Sequence, residues 1–213
     1  MSDSQATRAA LMHAGMERFA TLGFDGATTE EIARHAGVNK AMISYHFGGK
    51  DGLYRAILEA AFGPVVDRLE AVAAVEAPPE QVLGELLEAL REAQAERPAF
   101  AAMLLREVLS GGRHLEAAVL PRFLRIFGLI RETIDRGVRS GAYRRVDPLL
   151  THLVIVGSTL FFLASEPLRQ RLFDDGHLPI PKLPTHEDFT RHLRDLMAHA
   201  LAADTTAAPG GRR

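Results

Sequence analysis

Cysteine is absent from the 213 residues, so neither a disulfide framework nor a thiolate metal site is available. No stretch approaches the ~18 uninterrupted apolar residues expected of a membrane span. The first residues, MSDSQATRAALMHAGMERF, lack a basic region followed by an apolar run, so no signal peptide is expected. A cytoplasmic protein with no membrane partner follows as the expectation. Large charge excess is missing too, with a formal net charge of −2. Residues 1–60 hold six bases (Arg8, Arg18, Arg34, Lys40, Lys50, Arg55). Seven acids oppose them (Asp3, Glu17, Asp25, Glu30, Glu31, Asp51, Glu59). A protein that coats nucleic acid non-specifically has a different balance.

Catalytic signatures are also lacking. There is no His-Glu-x-x-His pair, no glycine-rich phosphate loop and no Gly-x-Ser-x-Gly elbow. Of the nine histidines, His186, His192 and His199 fall on or near the last helical segment. His192 and His199 share a face but stand two turns apart, about 10 Å along the axis, too far for one ion to bridge. No metal, cofactor or catalytic residue is expected.

What remains is apolar and helical. With 47% apolar residues the chain can bury a real core, and its apolar positions recur at helical spacing nearly throughout. Leu11, Ala14, Phe19 and Leu22 mark a first helix that Gly23 ends. A longer helix starts at Lys50, with a kink or interruption expected at Gly63-Pro64. Further helices are expected over 81–96, 99–109, 115–140, 148–165 and 186–202. Pro121 marks either a new first turn or a bend, and Pro167 either bends or restarts the chain. Asp147 and Thr185 read as caps. No strand or repeat is evident, and residues 204–213 read as a disordered tail. The fold class is all-α, with about nine helices.

Residues 28–55 organise the rest. Thr28 with Glu31 forms a capping box, and Ile32, Ala33 and Ala36 give a small apolar face. Gly37 suits the left-handed turn that ends such a helix. Asn39 then caps a second helix through Phe47. Two short helices joined in this way form a helix-turn-helix, whose second helix enters the major groove by its N-terminal end.

Ala36-Gly37-Val38, Ile43, Tyr45-His46-Phe47, Lys50 and Leu53 closely resemble the signature of the TetR family of bacterial regulators. The run from Tyr45 to Tyr54 is nearest to that of CecR-like members. The resemblance implies a helix-turn-helix domain over residues 1–50 and a ligand-sensing and dimerisation domain over 51–203. Base-contacting positions of the family fall on Lys40, Ala41, Met42 and Ser44, and its phosphate-facing pair on Tyr45 and His46. Thr28, Thr29 and Lys50 would flank the groove and hold backbone phosphates. Ser44 departs from the aromatic or Asn side chains common among relatives. The bland alternative is an ordinary helical surface with solvated lysines.

The body helices are apolar on more than one face, which a dimer interface and a cavity can absorb. The family's dimerisation through its last two helices implies a homodimer through 148–165 and 186–202, matching a palindromic operator in double-stranded DNA. A small apolar effector would sit among the preceding helices. Its candidate walls are Phe100, Met103, Leu104, Phe123, Phe127 and Ile130, with Arg106, Glu107, Arg131 and His152 as polar anchors. Plain core packing and surface ion pairs are the competing reading of each. The resemblance implies a ligand-responsive transcriptional regulator, most often a repressor. The alternatives are an all-helical enzyme or carrier with a vestigial head, and a helical adaptor.

Overall fold

The computed structural model describes residues 3–115 and 119–203. Among them are ten helices and no strand. These are α1 (Asp3–Gly26), α2 (Thr29–His35), α3 (Ala41–Phe47), α4 (Lys50–Ala73) and α5 (Pro79–Ala95). Then come α6 (Pro98–Leu109), α7 (Leu120–Ser140), α8 (Pro148–Ala164), α9 (Glu166–Asp174) and α10 (His186–Leu201). The tail at 204–213 lies outside the described residues, as does the stretch 116–118 of the helix expected from 115.

Local chemistry sets most boundaries. Gly23 leaves the helical region (φ 75°, ψ 174°), breaking α1 as its position in the sequence suggests. Thr28 accepts the Glu31 amide, and its own amide and hydroxyl donate to the Glu31 carboxylate. Gly37 takes φ 68° between α2 and α3. The Asp147 side chain accepts from Leu150 N, and Thr185 forms a capping box with Asp188.

Three features resolve or correct the expectations. The interruption at Gly63-Pro64 does not occur, and α4 continues through Pro64. Proline removes one amide and leaves the carbonyl of Ala60 without its helical donor; both residues are exposed, so water can serve it. Pro121 lies in the first turn of α7, where its missing amide is no loss. Pro167 restarts the chain as α9, at 51° to α8. A π-helical turn, Leu153–Gly157, also interrupts α8.

Helices α1–α3 and the start of α4 make a compact head around Leu11, Phe19, Ile32, Ile43 and Leu53, all nearly inaccessible. Burial of each such side chain contributes about 1.5–3 kcal/mol. α4 runs on into the body and packs against α5 and α7, while α6 packs against α1. Gly52 allows α3 and α4 to meet: a Cβ there would sit 1.8 Å from the Phe47 carbonyl oxygen. No single described helix is long and apolar enough to cross a membrane; α8 with α9 reaches that composition only as a bent pair.

Candidate nucleic-acid interface

The orientation of α3 follows from one side chain turned inward and one cap. Ile43 is buried against the head core, and Val38 and Met42 pack against it. Asn39 Oδ1 accepts from the Ala41 amide at 2.8 Å, holding the first turn. Ala41, Ser44 and Tyr45 are thereby turned to solvent, with Tyr45 76% exposed. Lys40, also exposed, lies 3.6 Å from Glu30, an ion pair too solvated to hold it. His46 is half-buried and packs edge-on against Tyr45 at 4.9 Å.

The flanks differ from the sequence expectation. Thr28 is exposed and Thr29 half-buried, both at the start of α2, where free amides favour an anion. The hydroxyl and amide of Thr28 hold the Glu31 carboxyl below its usual range. Lys50 is turned inward: its ammonium donates to the carbonyls of Phe24 (2.9 Å) and Ala27 (3.2 Å) and lies 4.3 Å over the Phe24 ring. It ties the end of α1 to the start of α4. Met42 is likewise half-buried rather than fully presented. The candidate interface therefore presents Lys40, Ala41, Ser44 and Tyr45; Thr28 is also exposed, while Thr29 and His46 are half-buried.

Five of the ten residues expected around an effector line one of two cavities, and the other five line neither. A narrow apolar cleft among α4–α8 leaves about 40 Å³ for water-sized molecules, and Phe100 and Leu104 line it with Phe62, Leu90, Val156 and Leu160. A wider cleft of about 330 Å³ opens between head and body, where Met103, Arg106 and Glu107 meet Phe24, Tyr54 and His114. Phe123 packs on Phe62, Phe127 packs on His152, Ile130 is core and Arg131 faces solvent. Arg106 Nε donates to the Ala20 carbonyl at 2.7 Å. His152 is buried, its Nδ1 without a hydrogen-bond partner, and burial pushes its pKa down.

Residues 11–57 match the family model described as "Bacterial regulatory proteins, tetR family", and residues 79–196 match "Tetracyclin repressor-like, C-terminal domain". The chain belongs to the TetR family. Among its relatives is the HTH-type transcriptional repressor NicS of Pseudomonas putida. The two are 30% identical over 159 residues, covering 73% of this chain and 74% of NicS. The regulator RutR of Escherichia coli is 27% identical over 165 residues, 76% of each chain. Of solved structures, the ketosteroid transcriptional regulator KstR2 of Mycobacterium tuberculosis superposes with a TM-score of 0.75 at 17% identity. That match covers 96% of this chain and 98% of the other. A putative fatty acid metabolism regulator of Clostridium perfringens gives 0.73 at 18% identity, over 92% and 100%. At such identities the structures establish the fold alone. This TetR-family chain is a ligand-responsive DNA-binding transcriptional regulator and not an enzyme. Regulators of the family bind DNA as dimers and respond to small-molecule effectors.

The joint between head and body is where sequence reading missed most. Glu107, placed among effector anchors, is 2% exposed and bonded by Tyr54 Oη (2.9 Å) and the His114 amide (2.6 Å). Burial, then the bond to Glu107, raises the Tyr54 pKa far above its usual value. His114 carried no expectation at all. Only a buried acid near the end of an apolar helix hinted at this joint, and it named no partner.

Proposed function

We propose that the protein is a homodimeric repressor that reads a palindromic operator with α3 and leaves it when a small apolar effector enters the body. The observation that carries this reading is the outward set Lys40, Ala41, Ser44 and Tyr45 on a helix pinned by buried Ile43. Lys40 suits guanine O6 or N7, Ala41 a thymine methyl, and Tyr45 with His46 the phosphates. Thr29 offers a hydroxyl and a helix-start amide to the adjoining backbone, whereas the amide and hydroxyl of Thr28 are taken by Glu31. The working division is a DNA-binding unit over 1–50 and a sensing and dimerising unit over 51–203.

Dimerisation rests on an apolar face without a cover in the single chain: Leu149, Leu150 (62% exposed), Leu153, Val154 and Phe161 on α8, with Leu196 on α10. The interface we propose is 148–165 against 186–202 of a second copy, in a four-helix arrangement. The effector would enter the apolar cleft lined by Phe62, Phe100, Leu104 and Leu160. Its present space of about 40 Å³ is far below the ~300 Å³ of a small-molecule site, so binding must push helices apart. Movement of α4 would then change the head spacing, provided the effector binds the DNA-incompetent dimer more tightly.

Selection of operators from a random duplex pool by the purified protein tests the first half. A palindromic consensus lost on Lys40→Ala and Tyr45→Ala is the expected result. An unenriched pool, or variants that select as well as wild type, would sink it. An apolar compound that stabilises the protein yet leaves operator affinity unchanged would count against the release mechanism.

A further inference from the structure

We propose that Glu107 is a positioning residue that fixes the angle between reading head and body, acting through Tyr54 and His114. The inference rests on the DNA-binding reading above and extends it to a joint that none of the contact surfaces includes. Glu107 belongs to α6 in the body. Tyr54 belongs to the start of α4 and donates its hydroxyl to Glu107 Oε2 at 2.9 Å, across 53 residues of chain. The His114 amide donates to Oε1 at 2.6 Å, and the His114 ring Nδ1 lies 3.0 Å from Oε2. The Tyr54 ring stands edge-on to Phe19 (4.9 Å) and Phe24 (5.1 Å) of α1, while His114 lies 4.0 Å from the Phe24 ring. One buried carboxylate thus joins the body to both long helices of the head.

Two observations make this joint directional rather than merely cohesive. First, the packing beside it is open: the cleft of about 330 Å³ separates parts of α1, α4 and α6 that close packing would otherwise lock. Apolar contacts along such a gap tolerate rotation, whereas hydrogen bonds weaken steeply with angle. Second, a carboxylate is a poor choice for cohesion. Burying it is costly, and an apolar residue of similar volume would stabilise the site as well or better. What the charged group adds, with three partners around it, is a single preferred geometry. Arg106 on the same helix reinforces it by bonding the Ala20 carbonyl of α1.

The absence of cysteine permits a direct test. Arg34→Cys in the head and Ala95→Cys in the body, both exposed, take one spin label each, and dilution with unlabelled chain isolates the intrachain distance. Wild type should give a narrow distance distribution, and Tyr54→Phe and Glu107→Gln should broaden it about twofold while melting cooperatively. On operators selected by wild type, both variants should bind about tenfold more weakly, the scale of one charge-assisted hydrogen bond. They should also discriminate less against half-sites moved by one base pair, which a purely structural loss would not cause. Unchanged distance distributions in folded variants overturn the proposal. If Glu107→Gln fails to fold, Tyr54→Phe decides, because it keeps the ring and removes one hydroxyl. If wild type selects no operator, the DNA reading fails while the distances still judge the joint.

Discussion

Gly52 and Tyr45 make opposite points about single residues in the same run of sequence. Gly52 is needed for what it lacks. Helix propensity alone favours alanine there by about 1 kcal/mol, but a Cβ would meet the Phe47 carbonyl oxygen at 1.8 Å, and backbone cannot step aside as a side chain can. Gly52→Ala should therefore destabilise the protein by about 2–3 kcal/mol, read from urea denaturation. A neutral or stabilising result would show that α3 relaxes away from α4. Tyr45 and Lys40 are needed for what they present. Lys40→Ala should cost about 1–3 kcal/mol in each half-site that carries the contacted guanine and relax the preference for it, read from binding to operators varied at that base pair. Equal losses on every operator, with the slope of log affinity against log salt lowered by about two per dimer, would place Lys40 on a phosphate instead. Tyr45→Ala should reduce affinity at unchanged slope, because the ring carries no charge.

At the scale of elements, the short helices depend on their ends. α2 has seven residues, too few to hold itself, and its capping box satisfies amides that would otherwise lack partners. Thr28→Ala should cost about 1 kcal/mol in thermal unfolding. Such ends were legible in the sequence. Thr28 with Glu31, Gly37, Asp147 and Thr185 with Asp188 act within four residues of themselves, so their chemistry is written locally. Lys50 was not, because the carbonyls that hold its ammonium lie 23 and 26 residues away and displace it from the role its charge suggested. Glu107 was missed for the same reason. The cavity walls were half legible: an apolar helix such as α6 announces burial, but not which of two cavities each side chain faces. The packing of α7 against α8 gives the pH prediction. His152 is buried beside Phe127 and its Nδ1 has no partner, so its folded pKa is depressed. The unfolded chain then binds the proton more readily. Stability is full above the ordinary histidine pKa of about 6.5 and declines as pH falls below it. His186, depressed mainly by burial, adds to the same slope. Melting temperatures between pH 7 and 5 should fall in wild type and fall less in His152→Leu. Parallel curves would remove His152 from the account.

For the whole molecule, the decisive quantity is what two copies do that one cannot. The first 60 residues carry one more acid than base, so a single head attracts DNA weakly and has few cations with which to release counterions. Two heads on one rigid dimer make the second contact intramolecular, which raises affinity without any new residue at the DNA surface. The proposed dimer face carries that argument, since Leu150, Leu153 and Phe161 of α8 are apolar and exposed. Leu150→Glu combined with Leu153→Glu places two like charges from each copy at the centre of the proposed interface, where burying them unpaired is prohibitive. Neither side chain contributes to the core, so the fold should survive. Sedimentation should show a monomer with the wild-type helical signal. Its affinity for the full operator should collapse to that for an isolated half-site, and the preference for half-site spacing should vanish with it. A double variant that remains dimeric would move the interface to another face. A monomer that still binds the full operator at wild-type strength would mean that one head suffices, against the charge balance of the first 60 residues.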